Sequence, residues 1–416
     1  MLSPLLRREY RDFRTFWIGQ SVSLVGDDIT LFAIPIAAVL LLHAHPADMG
    51  LLTAAGLLPS LLLSLPAGAW VDRWGRRRLI MLSCDIVRAL LLVSIPLAYA
   101  LGQLSLLHLY LVAFAIGVFD VFFAVSYQSL FVSLVPEEHY VSGQALLNGS
   151  RAGAMVAGNS LAGLLVSVVT APGALLVDAG TFIVSAVTLG RIKPAEAPRA
   201  AKEAGALAVG IRFIMRSPII RPSLAATTTV NLFTFMINAI FILYASRTLH
   251  VPAGELGVVL GVAALGSIVG SLVTGRIARA IGTGPTFALG CVVFPVPLVL
   301  FPLAGGAHAV VLGCLLAGEF LSGFGVMMLD IGVGALFAST IPHELRARVS
   351  GAFRMINYGI RPVGALLGGA LGGWLGMRPA LWIGALGASF CALWLLGTPV
   401  LSREQAPAAA AREPVG

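Results

Sequence analysis

Charged residues are scarce in this sequence. Asp, Glu, Lys and Arg together make up 11% of its 416 residues, against about 25% in an ordinary soluble domain. Hydrophobic residues reach 58% and the mean hydropathy is +0.93, so a water-solvated globular chain is excluded and a lipid-solvated one is indicated. Cysteine is also rare: Cys84, Cys291, Cys314 and Cys391 each sit inside an apolar run with no C-x-x-C pairing, which suggests neither a zinc site nor a disulfide framework. No Walker A sequence occurs, so direct drive by ATP is not expected. His43 and His45 with Asp48 are the one metal-like grouping, and they read as a solvated loop. No nucleophile, metal or phosphate-binding constellation marks an enzyme, and no cofactor is expected.

What the sequence does have is apolar length. A helix needs about 20 apolar residues to cross a bilayer. Runs between breakers predict twelve spans, at 15–42, 47–71, 79–101, 104–133, 143–169, 173–190, 222–246, 254–278, 285–304, 308–338, 350–376 and 379–399, called spans 1 to 12. The first run is too long for a signal-peptide core and contains Asp27 and Asp28, so it counts as span 1. The expected organisation is an all-α membrane protein: a six-helix bundle at 1–190, a linker with an amphipathic segment at 191–221, a second bundle at 222–400 and a tail at 401–416. Of the 27 Lys and Arg residues, 23 fall on one side of these spans; Arg247 and Arg378 lie opposite, and Arg88 and Arg361 lie within spans. By the positive-inside rule both termini are cytoplasmic. Topology thus accounts for the net charge of +8 and needs no nucleic-acid partner.

The halves repeat. Gly50, Gly68 and Gly75 precede Gly257, Gly275 and Gly282 by 207 residues, and Ser142-Gly143 precedes Ser350-Gly351 by 208. Two pseudo-symmetric half-bundles packed around a midplane site can rock against each other, which is the physical signature of a transporter. Between spans 2 and 3 the sequence reads Gly68-Ala69-Trp70-Val71-Asp72-Arg73-Trp74-Gly75-Arg76-Arg77-Arg78. This loop resembles the signature of the major facilitator superfamily, Gly-x-x-x-Asp-Arg-x-Gly-Arg-Arg. Gly68, Asp72, Arg73, Gly75, Arg76 and Arg77 stand at its positions, and the resemblance implies the twelve-helix major facilitator fold with Asp72 as a cytoplasmic latch near span 11. In the second copy Arg279 takes the acid's place. Segments Phe16–Gln20 with Ser23–Asp27, Leu176–Ala179 with Thr181-Phe182, and Arg361–Gly369 look like the bacterial efflux branch that contains macrolide exporters and the enterobactin exporter. That resemblance implies outward transport of an organic compound across a bacterial inner membrane. Where antiporters of the superfamily carry Gly-Pro in span 5, this chain has Gly158-Asn159. Gly364, Gly368, Gly372 and Gly376 on span 11, and Gly257, Gly261, Gly266 and Gly270 on span 8, allow close helix approach.

An ionisable residue at the bilayer centre costs at least about 2.5 to 3.5 kcal/mol, so each one is a functional candidate. Gln20, Ser23, Asp27 and Thr30 form a stripe on span 1, expected to line an aqueous cavity; Asp28 is turned about 100° away. Span 4 offers Asp120 and Tyr127, span 7 Asn231 and Asn238, and span 10 Glu319 and Asp330. Spans 1, 4, 7 and 10 line the cavity in the resembling superfamily. Arg361 either neutralises Glu319 or Asp330 or meets an anionic substrate. Asp85 and Arg88, at i and i+3, are expected to satisfy each other, and Asp178 to bond backbone near the outer end of span 6. Asp27 is the expected proton carrier, with Asp120 or Glu319 as a second site.

The resulting expectation is a monomeric secondary transporter in a lipid bilayer, exporting a small-molecule substrate, drug-, macrolide- or siderophore-like, in exchange for protons. An importer on the same fold and a transport-inactive sensor or scaffold are the alternatives. The topology is testable directly: a reporter fused after Gly416 and a cysteine introduced between spans 6 and 7 should both be cytoplasmic, and labelling of that cysteine from outside intact cells would refute the scheme.

Overall fold

The computed structural model describes residue 5, residues 10–193 and residues 206–402. Among these the chain is helical and contains no strand: α1 (Arg11–Leu41), α2 (Pro46–Trp74), α3 (Arg77–Ala100), α4 (Leu106–Leu134), α5 (Tyr140–Arg191), α6 (Ala206–Arg216), α7 (Ile220–Arg247), α8 (Ala253–Ile281), α9 (Thr283–Val293), α10 (Leu300–Leu303), α11 (His308–Thr340), α12 (Arg346–Gly359), α13 (Arg361–Trp374) and α14 (Met377–Ser389). Ten stretches among the described residues are long and apolar enough to cross a bilayer. One of them, Glu137–Arg191, is two helices joined at Thr170, where φ is 67° and ψ is 168°. Pro172 explains the break, because it has no N–H to donate and biases Ala171 away from helical geometry. The short helices α12 and α13 together make the remaining crossing, which brings the count to the twelve predicted.

Three predicted spans are less regular than expected. Span 11 breaks at Ile360, just before Arg361-Pro362. Span 9 leaves α-helix at Phe294-Pro295 and continues as a 3-10 turn, Val296–Val299, and the single turn α10. Span 12 tightens after Ser389 into a 3-10 segment, Phe390–Leu395. Proline in span 9 and span 11 removes a backbone donor and crowds the preceding turn. Gly376, expected on the face of span 11, instead forms the turn before α14, with φ 94°. The amphipathic linker segment is α6. It lays Gly210 against the Arg348 carbonyl of α12 and buries Ile214 among Val349, Ala352 and Phe353. The rest of the expected linker, 194–205, and the tail from 403 lie outside the described residues.

The chain forms two compact units that cut across the sequence halves. The first contains the described residues up to 193 together with Ala239–Gly261 and Ala365–Trp374; the second contains 206–238, Val262–Gly364 and 375–402. Inside the first unit, second-half segments are held to first-half helices by glycine. A Cβ on Gly163 of α5 would lie 2.7 Å from Gly257 Cα of α8, and one on Gly257 would lie 2.6 Å from Gly163 Cα. Gly50 of α2 and Gly369 of α13 face each other equally closely, with a Cβ on Gly50 falling 2.8 Å from Gly369 Cα. Nearby, Arg247 Nη2 donates to the Val39 carbonyl at 3.1 Å. Without side chains the backbones can approach to van der Waals contact, which is the main source of attraction between helices in lipid. All these contacts lie at the end of the helices away from the Gly75 loop.

The 207-residue repeat extends to the backbone. His43 and His250 both adopt left-handed φ, 51° and 55°. In each case the next residue's N–H returns to the carbonyl six residues back, Ala44 to Ala38 at 3.0 Å and Val251 to Ala245 at 2.9 Å. Gly75 and Gly282 likewise share positive φ. Pro136 and Pro342 open matching 3-10 turns, closed by His139 and Leu345.

The glycine crossing gives a test. Gly257→Leu should lower the thermal midpoint of the detergent-purified protein, since overpacking costs about 1 to 3 kcal/mol. Gly275→Leu on the same helix, where only the end of the Arg279 side chain lies within 4 Å, should leave the midpoint nearly unchanged. Equal losses in the two variants would show that the close approach contributes nothing.

Candidate functional site

In the first unit the polar centre is built around Arg88 of α3. Its Nη2 bonds Asp85 Oδ1 at 2.5 Å, one turn earlier on the same helix, as the i, i+3 spacing predicted. Its Nη1 bonds Asp120 Oδ1 of α4 at 2.6 Å and lies 3.7 Å from Asp27 Oδ1 of α1. The guanidinium also rests on two aromatic faces, Phe123 at 4.5 Å and Phe182 at 4.2 Å. One cation therefore serves three carboxylates from three helices. The surroundings of these acids differ: the Asp85 side chain is fully buried and that of Arg88 nearly so, whereas Asp27 and Asp120 keep 45% and 49% of their side-chain surface accessible. Asp27 lies 16 residues from the start of its helix, about 24 Å at 1.5 Å per residue.

The other predicted residues of span 1 occupy a different environment. Gln20, Ser23 and Thr30 are buried rather than open. Gln20 Nε2 donates to Ser185 Oγ at 3.0 Å and Thr30 Oγ1 donates to Asp178 Oδ2. Gly19 and Gly26 of α1 meet Thr188, Asp178 and Thr181. The stripe is thus the packing face between α1 and the second segment of α5, joined by hydrogen bonds, and only Asp27 reaches its edge. Asp178 accepts from the Thr30 and Thr181 hydroxyls, the latter at 2.7 Å, and not from the backbone N–H expected for it. Asp28 is half-buried where α1 crosses Gly158, 2.6 Å from the point a Gly158 Cβ would occupy. Asn159 keeps α5 regular here and donates to the Met155 carbonyl at 3.2 Å. Tyr127 stacks on Phe123 and meets Phe16 at a tilt.

In the second unit the centre is Arg361. It makes no ion pair within 4 Å among the described residues, so the expected pairing with Glu319 or Asp330 is not formed. Instead its Nε donates to Asn231 Oδ1 at 2.8 Å, and its guanidinium lies over Tyr358 at 3.9 Å and Phe235 at 4.7 Å. Asn231 in turn donates to Asn357 Oδ1 at 3.1 Å and to the Thr227 carbonyl at 2.9 Å. Asn238 and Asp330 are exposed, and Glu319 is half-buried between Gly318 and Phe320 of α11. Sequence reasoning found Arg361 and Asn231 but not Asn357, Tyr358 or Phe235. It also missed the links from Arg88 to Asp27 and Asp120. A helical wheel gives the face of one helix, and these contacts depend on which faces meet.

The Gly68–Arg78 loop folds as a tight corner. Gly75 ends α2 in left-handed conformation, φ 67°, and its N–H closes on the Val71 carbonyl at 3.0 Å. Arg77 is buried and lies 3.9 Å from Asp72. Arg78 donates to the Leu189 and Gly190 carbonyls at 2.7 and 2.6 Å, satisfying the last acceptors of α5 and opposing its dipole. His45 and Asp48 form a capping box at the start of α2, and Tyr110 donates to Asp48 at 3.1 Å. Among the described residues no group of three or more His, Cys, Asp or Glu could hold a metal.

Comparison with known proteins agrees with this architecture. The chain is 26% identical over 391 residues to an uncharacterised MFS-type transporter, YfiS, of Bacillus subtilis, covering 91% of each. It is 25% identical to the multidrug efflux pump Tap of Mycolicibacterium fortuitum, over 83% of this chain and 85% of that one. It is 24% identical to the enterobactin exporter EntS of Escherichia coli, over 89% and 88%. Among solved structures, a mutant of the nucleoside transporter NupG superposes with a TM-score of 0.73 at 13% identity over 92% of this chain and 98% of that one. A bacterial homologue of the iron transporter ferroportin, in its inward-facing state, gives 0.71 at 16% identity over 93% and 98%. The family model described as Major Facilitator Superfamily matches residues 16–360 and 224–415. The chain is therefore a multi-pass membrane protein that belongs to the major facilitator superfamily of transporters.

Proposed function

We propose that this transporter exports a small organic molecule, drug-, macrolide- or siderophore-like, from a bacterial cytoplasm by alternating access in exchange for protons. Asp27 carries the proton and Asp120 is the second exchange site. The observation that carries the reading is the single guanidinium of Arg88 shared by three carboxylates. One cation offsets one anion, and a region lined by apolar helices offers little else to offset the remainder except bound protons. Asp85 is buried and tightly bonded, which suits it to fixing Arg88. Asp27 is accessible and the most weakly held of the three, which suits it to exchange. A carboxyl that gains a proton releases its hold on Arg88, so protonation and side-chain rearrangement are linked.

Further support comes from the repeat, since two related half-bundles are able to rock and so alternate access to a site. A proton crossing 100 mV supplies about 2.3 kcal/mol, equivalent to roughly a fifty-fold gradient of a neutral substrate. The relatives Tap and EntS are an efflux pump and an exporter, which favours the outward direction. The arginine distribution favours an inner-membrane protein with both termini in the cytoplasm, where Asp72 and its neighbours Arg73, Arg76 and Arg77 act as the gate.

The reading predicts a specific pair of phenotypes in proteoliposomes with an imposed pH gradient, using a substrate selected by thermal-shift screening. Asp27→Asn should abolish uphill efflux while retaining substrate binding, because the amide keeps size and hydrogen-bonding capacity; Asp28→Asn, packed on Gly158, should be milder. Uphill transport at the normal rate by Asp27→Asn would remove Asp27 as carrier. The ion cluster itself makes a second prediction. Arg88→Met should cost about 3 to 5 kcal/mol by stranding the buried Asp85 carboxylate, and adding Asp85→Asn should recover part of the lost thermal stability. A double variant no more stable than the single would mean that Asp85 is not the charge Arg88 neutralises.

A further inference from the structure

Arg361 is an intramembrane cation for which the proton cycle has no use. We infer that it anchors an anionic group of the transported molecule, a carboxylate or similar planar oxyanion seated on the Nη1–Nη2 edge of the guanidinium. The inference rests on the reading of the chain as a transporter of organic molecules, but not on which acid carries the proton.

The arrangement around Arg361 leaves one part of the guanidinium available. Nε is already committed to Asn231 Oδ1 at 2.8 Å. Asn231 is fixed by its own bonds to Asn357 and the Thr227 carbonyl, so the fork is held in one orientation. Its plane is covered by Tyr358 and Phe235, with ring centroids 3.9 and 4.7 Å from Cζ. The terminal edge holds no carboxylate among the described residues, and that edge matches the two oxygens of a carboxylate with parallel N–H···O bonds. The contrast with Arg88 is informative. Arg88 has three carboxylates within 4 Å, whereas Arg361 has none among the described residues. A charged side chain inside a membrane span is costly and is ordinarily paired, so a missing counter-ion next to a pre-oriented fork points to one supplied from outside. Asp330 of α11 is exposed and lies beyond ion-pair distance of Arg361. It would repel an incoming anion, so its removal has a direction opposite to that of removing the arginine.

The test is titration calorimetry on the purified full-length protein, without a pH gradient, using 2-naphthoate and its uncharged near-isostere 2-naphthamide. Naphthoate should bind at least about tenfold more tightly than naphthamide, a difference of one charge-assisted contact. Arg361→Gln should remove that preference and Arg361→Lys should restore only part of it, because an ammonium lacks the fork. Asp330→Asn should tighten naphthoate binding and leave naphthamide unchanged, a gain that misfolding cannot imitate. Binding is read without a pH gradient and does not depend on which acid carries the proton, so failure of the proton reading and failure of this one are separable. No preference for naphthoate in the unaltered protein, or a preference that survives Arg361→Gln, overturns the inference.

Discussion

A guanidinium in the middle of a bilayer is costly until a counter-charge reaches it, because hydrocarbon solvates neither cations nor anions. Arg88 meets that requirement with side chains from three helices, and this one constraint organises the centre of the first unit. Helices α1, α3 and α4 each place an acid at its nitrogen atoms, and α5 adds the Phe182 ring. The unit's mid-membrane layer is therefore specified by charge geometry and not by apolar fit, which any lipid-facing leucine could supply. Asp178 extends the polar layer to the Thr30 and Thr181 hydroxyls.

Away from that layer the cohesion changes character. At the end farthest from the Gly75 loop, backbones meet through Gly163 and Gly257 and through Gly50 and Gly369. At the other end of the same unit, aromatic and aliphatic side chains take over: Phe13, Phe16, Phe131 and Leu189 pack with Met81 and Leu147, and Arg78 seals the last carbonyls of α5. A glycine contact is strong only while two backbones touch and is lost at small separations, whereas a cluster of bulky side chains tolerates adjustment. The two ends of the unit thus differ in how abruptly they can separate.

Most of the fold was legible because the signals were long. Twelve apolar runs and the break before Pro172 depend on residues near one another in sequence, and these agree with the helices found. Irregularities at Pro295, Pro297 and Pro362 were missed because proline inside a membrane run ends a helix only when neighbouring packing permits it. For the polar centre, the spacing of Asp85 and Arg88 predicted their contact, since one helix determines it. The partners Asp27 and Asp120 required knowing which faces of α1 and α4 turn toward α3. The stripe of Gln20, Ser23 and Thr30 was correctly placed on one face, but that face packs against α5 and is closed to water. Polarity in a membrane helix marks a neighbour as readily as it marks a cavity.

The paired left-handed histidines, His43 and His250, and the identical caps that follow them record a duplication whose chain geometry has outlasted its chemistry. The turns keep matching positions, while the polar centres of the two units differ: Arg88 lies among three carboxylates, and Arg361 lies between an amide and two rings. A turn of this kind is set by local backbone geometry alone, so the repeat can persist there without constraining the ionisable groups between the turns.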